Sequence, residues 1–143
     1  MMGMYDTLRH LAVLCRRIVD GEDVSDECLI RAVEGMELAT NCESAAEALF
    51  AAVGVPCMLR PSLRPALLKM ALDPLYCLGL SEADEILAWA RATADRGDQY
   101  VPWGEHTRRF VREILCEERT TIQTILDALA MESATAEQVP FSP

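Results

Sequence analysis

Apolar residues recur along this chain at intervals of three and four positions, which is the spacing of an amphipathic α-helix. No segment alternates apolar and polar residues in the way that a half-buried β-strand does. The first apolar stripe falls within residues 6–19, and Gly21 then predicts the end of the helix. Its members are Leu8, Leu11, Ala12, Cys15, Ile18 and Val19. The pattern therefore predicts an all-α fold whose first helix buries this stripe.

Capping residues and prolines divide the middle of the chain into further helices. Ser25 predicts the start of a second helix, because its hydroxyl can accept a hydrogen bond from a free backbone N–H there. Ser44 and Glu47 have capping-box spacing and predict a short third helix that stops at Gly54. The proline-rich sequence at 55–65 then predicts a loop before a fourth helix.

Prolines and capping residues also predict where the helices end and begin in the second half of the chain. The Asp73-Pro74 pair predicts the end of the fourth helix, because proline removes a backbone donor. Ser81 with Asp84 predicts the start of the next helix, which ends at the Arg-Gly-Asp sequence of residues 96–98.

The last third of the chain holds the most informative helical segment. Residues 103–115 are apolar enough to form the central helix of a bundle. Thr120 and Gln123 have capping-box spacing, so either one long helix has a polar stretch here or two helices meet. Residues 132–143 are small and polar with two prolines, which predicts a flexible C-terminal tail. We therefore expect a single helical domain at 1–131, built as a compact bundle of six or seven helices.

The charge balance narrows the choice of partners. The chain carries 23 acidic against 13 basic residues, a net charge of −10 at pH 7. Nucleic acid and an anionic membrane surface both require a basic face, so neither is expected as a partner. The anionic charge instead favours basic patches on a protein partner. Only Lys69 among the basic residues is a lysine, which with the many alanines suggests a GC-rich coding genome.

The cysteines and the hydropathy bear on the compartment. The six cysteines lie at least 13 residues apart, too far for a zinc-type or redox pair in sequence. Most have apolar neighbours, which is typical of free thiols in a reducing compartment. The longest apolar run, at 48–59, is 12 residues, whereas a membrane-spanning helix needs about 20. We therefore expect an intracellular protein with free thiols, no secretory signal and no membrane anchor.

The sequence offers little catalytic chemistry. His10 and His106 are its only histidines, and neither stands in a nucleophile–histidine–acid arrangement. No phosphate-binding loop and no dinucleotide-binding motif occurs in it. We expect a protein that is not an enzyme, with no catalytic residue, no metal ligand and no cofactor.

Two acidic pairs leave one enzymatic alternative open. Glu34 with Glu37, and Glu82 with Glu85, resemble the metal-binding acidic pairs of helical nucleotide pyrophosphohydrolases, which act with Mg²⁺. In a chain with 23 acidic residues, a solvated helix face is the ordinary explanation of such pairs.

A resemblance to a known family gives the function a direction. The sequence YVPWGE at 100–105, followed by the amphipathic FVREIL at 110–115, resembles the Trp-Gly start of the central helix in the B-cell-lymphoma (Bcl) family of apoptosis regulators. The stretch 64–131 is similar to the poxvirus Bcl-like immunomodulatory proteins. The matching positions are 65–68, 82–86 and 94–97, followed by Trp103, Phe110, Ile114, Ile122 and Ile125.

This resemblance implies a Bcl-like fold with a central helix at 103–115. It implies a viral protein of the host cytoplasm that binds host proteins and thereby inhibits innate immune signalling, often towards NF-κB. Some members of the family form homodimers, so the resemblance also makes a homodimer possible for this chain. The partner-binding groove that it implies would be lined by Leu67, Leu68, Ala71, Trp103, Gly104, Glu105, Arg109 and Val111.

One departure from the family pattern separates two functions. Bcl proteins that regulate cell death usually carry an arginine directly after Trp-Gly, where it pairs with an aspartate of the bound death-motif helix. This chain has Glu105 there, and a carboxylate would repel that aspartate. Immune-signalling antagonism is therefore favoured over the alternative, an apoptosis inhibitor that sequesters pro-apoptotic helices. A further alternative is an acidic helical adaptor or inhibitor of another lineage, which a bundle without a surrounded central helix would favour.

Overall fold

The computed structural model describes residues 4–36, 42–96 and 101–138, and within these ranges the chain is mostly helical and has no β-strand. The prediction of an all-α fold is confirmed for this part of the chain. Its α-helices are α1 (Met4–Val19), α2 (Asp26–Glu34), α3 (Cys42–Leu59), α4 (Arg64–Cys77), α5 (Ala83–Asp95), α6 (Glu105–Arg109) and α7 (Arg119–Gln138). A 3₁₀ turn at Pro61–Leu63 precedes α4.

The connection between α1 and α2 follows the signals in the sequence. Gly21 adopts a positive φ of 85°, which glycine reaches without a steric penalty. The backbone N–H of Glu22 then donates to the carbonyl of Arg17 at 2.9 Å and closes the end of α1. At the start of α2, the Ser25 hydroxyl accepts a hydrogen bond from the backbone N–H of Cys28 at 3.1 Å.

The helix at the centre of the bundle is α3. It contacts α1, α2, α4 and α6, and between positions 45 and 57 only Ala51 and Val55 are partly exposed. Its only charged residues are Glu43 and Glu47, so it is apolar on nearly every side, as a helix surrounded by others must be.

The prediction of a central helix at 103–115 is therefore wrong in its location. Phe110 and Val111 are buried, but Glu105, Arg109 and Arg112 are exposed, so one side of this segment faces solvent. The tryptophan and the apolar stripe at 103–115 belong to a segment that packs against the outside of the core. The Ala-rich helix α3 occupies the centre instead.

The predicted stop of the third helix at Gly54 is wrong, because this glycine lies inside α3 at a close contact with α6. A Cβ atom on Gly54 would lie 2.9 Å from the Thr107 Oγ1 and 3.2 Å from the Thr107 Cα. Glycine at this position therefore lets α6 approach the backbone of α3. The helix also continues through Pro56 and ends at Leu59.

A buried carboxylate fastens the segment before α6 onto α3. Glu47, predicted to cap the third helix, is instead fully buried within α3. Its carboxylate accepts a hydrogen bond from the Arg96 guanidinium at 2.5 Å and one from the Val101 backbone N–H at 3.3 Å. Its backbone carbonyl accepts a hydrogen bond from the Trp103 indole at 2.9 Å. One turn of α3 thus binds both ends of the connection between α5 and α6.

Three aromatic rings pack together beside this carboxylate. The ring centroid of Phe50 lies 5.5 Å from that of Trp89 and 5.9 Å from that of Trp103. The two tryptophans are 6.2 Å apart in an edge-on arrangement. These separations are typical of favourable aromatic pairs, and the cluster joins α3, α5 and the segment before α6.

The chain is helical without interruption from α6 to α7, but its helical type changes twice. A π-helical turn at Phe110–Ile114 and a 3₁₀ turn at Leu115–Glu118 join the two helices. The predicted capping box is wrong, because Gln123 Oε1 accepts a hydrogen bond from the backbone N–H of Ala83 at 2.9 Å. Gln123 therefore caps the start of α5 rather than its own helix.

Two predicted helix ends fall too early. α4 continues through Pro74 to Cys77, because Leu72 and Leu75 are buried on either side of the proline and this packing outweighs the lost backbone hydrogen bond. α7 continues to Gln138, so the predicted flexible tail is helical as far as position 138. Residues 139–143 of that predicted tail lie outside the described residues.

Candidate partner-binding groove

The residues predicted to line a partner-binding groove divide into two groups. The apolar ones are all buried in the core, whereas the prediction places them in a surface groove; they are Leu67, Leu68, Ala71, Trp103 and Val111. The other three are exposed, namely Gly104, Glu105 and Arg109. Because α4 lies between α3 and α7, its apolar face is already covered by other helices.

A different groove is open between α1 and α3, with a volume of about 450 Å³. Most of its lining is aliphatic, and His106 at the start of α6 closes one side. The lining residues are Leu8, Leu11, Ala12, Cys15, Arg16, Val19, Ala51, Ala52, Val55, Pro56 and His106. It therefore includes the two positions of the central helix, Ala51 and Val55, that the bundle leaves partly exposed.

The groove exists because the other helices cover only part of the apolar stripe of α1. Leu11 and Cys15 are buried against the bundle, whereas Ala12 is exposed and Val19 is 67% exposed. Val13, on the outer side of the same helix, is 53% exposed. From sequence alone, this surplus could not be distinguished from core, because helical periodicity shows which residues share a face and not what covers them.

Pro56 shapes the floor of the groove. Proline has no backbone N–H, so it cannot donate the helical hydrogen bond to the carbonyl four residues earlier, at Ala52. Both residues line the groove. The side chains on this floor are short, since alanine, valine and proline fill little space, and this leaves room for a larger side chain from outside.

Cys15 contributes a thiol to the lining of the groove. Burial raises the pKa of the Cys15 thiol from its ordinary value of 9.0 to about 11. The thiol is therefore protonated at neutral pH and behaves as a small apolar group, because only the thiolate is a good nucleophile. Arg16 and His106 supply the polar edges of the groove.

A second, more polar cleft of about 390 Å³ lies between α1 and α2. Its polar groups already bind one another: Ser25 caps α2, and Arg31 pairs with Glu27 at 2.6 Å within one helical turn. His10 and Cys28 complete its rim. Because both partners of the ion pair are mostly exposed, the pair contributes little to stability.

Of the acidic pairs that suggested a Mg²⁺ enzyme, the structure describes Glu34, Glu82 and Glu85. Glu82 precedes the first turn of α5 and Glu85 is exposed in that turn, while Glu37 lies outside the described residues. Across 4–36, 42–96 and 101–138, no group of three or more His, Cys, Asp or Glu side chains could hold a metal ion. In the same ranges, no helix is both long and apolar enough to cross a membrane.

Cys15, Cys28, Cys57 and Cys116 are free thiols. Cys15 and Cys57 are buried, Cys28 is partly buried, and Cys77 and Cys116 are exposed. The side chain of the sixth cysteine, at position 42, lies outside the described residues.

Comparisons of this chain with protein-family models, curated protein sequences and solved structures return no match.

Proposed function

We propose that this protein is a Bcl-like interaction factor that binds a host protein and thereby inhibits innate immune signalling towards NF-κB. In this proposal the α1–α3 groove receives a helix of the partner. The observation that carries the proposal is the open aliphatic groove itself, in which Val19 and Ala12 expose apolar surface. Apolar surface that the fold leaves uncovered marks the place where a partner gains most by binding.

The spacing of the lining residues supports a helix as the occupant. On α1 they recur at positions 8, 12, 15 and 19, and on α3 at 51 and 55. Both rows follow the three- and four-residue ridges between which another helix packs. With a rise of 1.5 Å per residue, the row on α1 is about 16 Å long, which matches about three turns of a partner helix.

The position of α3 supports a Bcl-like assignment over a helical adaptor of another lineage. α3 is surrounded by α1, α2, α4 and α6, whereas a bundle without a surrounded central helix would have favoured that adaptor. The central helix is α3 rather than the segment that follows Trp103, so the support comes from the architecture and not from the Trp-Gly sequence.

Immune-signalling antagonism is favoured over the capture of death-motif helices because Glu105 is exposed at the start of α6. We expect Glu105→Arg to leave inhibition of an NF-κB reporter unchanged. If Glu105 faced the aspartate of a death-motif peptide, the same change would instead strengthen binding of that peptide.

The experiment is a cytokine-driven NF-κB reporter in mammalian cells that express the full chain. Ala12→Tyr fills the groove without adding charge, and Ala128→Tyr adds the same side chain to an exposed position of α7. We expect the wild type and Ala128→Tyr to inhibit the reporter, and Ala12→Tyr to inhibit it at least about fivefold less well. A reporter that the wild type leaves unaffected, or that both variants inhibit equally, would contradict the proposal.

A further inference from the structure

The charge around the α1–α3 groove is opposite in sign to that of the whole chain. The chain has a net charge of −10, and α2, α3, α5 and α7 each carry more acidic than basic residues. In contrast, α1 carries three arginines against one aspartate. The short α6 carries one histidine and two arginines against one glutamate. Of the three elements that line the groove, α1 and α6 are therefore basic, whereas the two glutamates of α3, Glu43 and Glu47, are not among its lining residues.

The lining of the groove shows the same bias at closer range. Arg16 and His106 are its only charged or titratable polar residues, and none of the lining residues in the described part of the chain is a carboxylate. The Arg16 side chain is 81% exposed, and its contact with Asp20 is 3.7 Å between mostly exposed groups. Such a pair is weak, so Arg16 can turn to a partner at little cost.

We infer that the occupant of the groove is an acidic amphipathic helix, with apolar side chains in the groove and a carboxylate against Arg16. This inference depends on the proposed role of the groove as a docking site. It reverses the expectation from net charge, which favoured a basic surface on the partner.

The net charge of the chain does not oppose this arrangement. At physiological ionic strength, exposed charges are screened beyond about 8 Å. The acidic residues of distant helices therefore act weakly on a segment that lies in the groove, whereas Arg16 lies in its lining. Local charges decide which partner fits, because complementarity at contact distance sets specificity.

The test uses the full chain and a displayed library of helical peptides of about 15 residues, long enough to form three turns or more. The peptides share an apolar stripe, and the positions that flank it are varied among Glu, Lys, Gln and Ala. Arg16→Glu reverses the charge in the groove. The matched control is Arg91→Glu, which reverses an exposed arginine on α5, away from the groove.

We expect the wild type and Arg91→Glu to enrich Glu over Lys at the flanking positions by about threefold or more, and Arg16→Glu to lose this preference. Selection of Lys, selection without charge preference, or failure to retain any peptide would overturn the inference. Two other results would also overturn the inference. One is self-association of the wild type, seen in analytical ultracentrifugation and abolished by Arg16→Glu. The other is binding of the wild type to phosphatidylserine vesicles that Arg16→Glu abolishes.

Failure of this inference is separable from failure of the proposed function. Ala12→Tyr carries no charge, so its effect on the reporter tests whether the groove is used at all. A reporter that responds to Ala12→Tyr, together with a library that shows no preference for Glu, would retain the groove and reject the acidic partner.

Discussion

α1 and α3 form the two walls of the groove, yet the bundle uses them in opposite ways. α3 is buried along almost its whole length, and only Ala51 and Val55 between positions 45 and 57 reach the surface. α1 buries Leu11 and Leu14 but leaves Val19 exposed. The difference shows that apolar side chains stabilise the fold where other helices cover them, and that they can contact a partner where no helix covers them.

The largest expected effect comes from truncating the buried wall. Phe50 on α3 is fully buried and belongs to the aromatic cluster, so Phe50→Ala should lower the free energy of unfolding by about 3–5 kcal/mol. Val13→Ala on α1 should lower it by less than about 0.5 kcal/mol, because Val13 is 53% exposed. Equilibrium denaturation of both variants measures the difference. Similar losses for the two would show that α1 is as deeply packed as α3.

A smaller effect is expected where α3 meets α6. Gly54→Ala places a methyl group against Thr107 at 2.9 Å, so the two helices must move apart. We expect a loss of about 1–3 kcal/mol in the free energy of unfolding, the usual range for overpacking. Gly35→Ala is the matched control, because the nearest atom to its Cβ would be 3.4 Å away. If Gly54→Ala were as stable as this control, the close approach of α6 to α3 would be wrong.

A pH experiment compares the buried thiol on each helix. Burial raises the pKa of Cys57 on α3 to about 12, with Glu118 adding to the rise and Arg64 opposing it, and that of Cys15 on α1 to about 11. The unfolded thiols ionise near 9.0. The unfolded state therefore loses these protons first as the pH rises, and stability should fall between about pH 9 and pH 11.

The variants Cys57→Ala and Cys15→Ala resolve the two contributions. Each should reduce the loss of stability between about pH 8 and pH 10, measured by denaturation at both pH values. Cys77→Ala is the control, because Cys77 is exposed. In the native protein at about pH 8, Cys77 and Cys116 should react with iodoacetamide well before Cys57. Equal reaction rates would show that the centre of the bundle is open to solvent.

The variant with the smallest expected effect on stability is the one with the clearest expected effect on function. Ala12→Tyr on the open wall should change the free energy of unfolding by only about 0.5 kcal/mol, as should Ala128→Tyr, because tyrosine is a weaker helix former than alanine. The two variants should therefore unfold alike in urea and differ only in the reporter. A loss of several kcal/mol in Ala12→Tyr alone would mean that position 12 belongs to the core.

The helical fold was largely predictable, since its periodicity is a local property of the sequence. The C-terminal end of α1 and the cap of α2 followed from Gly21 and Ser25 for the same reason. The role of Gly54 inside α3 was not predictable, because this glycine makes room for Thr107, a residue distant in sequence. Gln123 shows the same limit, since its partner is the backbone of another helix.

The candidate groove was less predictable than the fold. The apolar residues of α1 that line the groove were all in the predicted stripe, but the prediction assigned them to the core. A sequence does not show how much of a stripe the other helices cover. Leu67 and Val111 were expected in a groove and are buried. The signal that could have indicated the groove is the small size of Ala51, Ala52 and Pro56 on the facing helix.

The aromatic cluster of Phe50, Trp89 and Trp103 also determines what light can reveal about this molecule. These are the only two tryptophans of the chain, both lie in the same cluster, and neither belongs to α1. Tryptophan emission therefore reports on the junction of α3, α5 and the segment before α6. Because α1 carries no tryptophan, a melt followed by tryptophan emission records the centre of the bundle rather than the open wall of the groove.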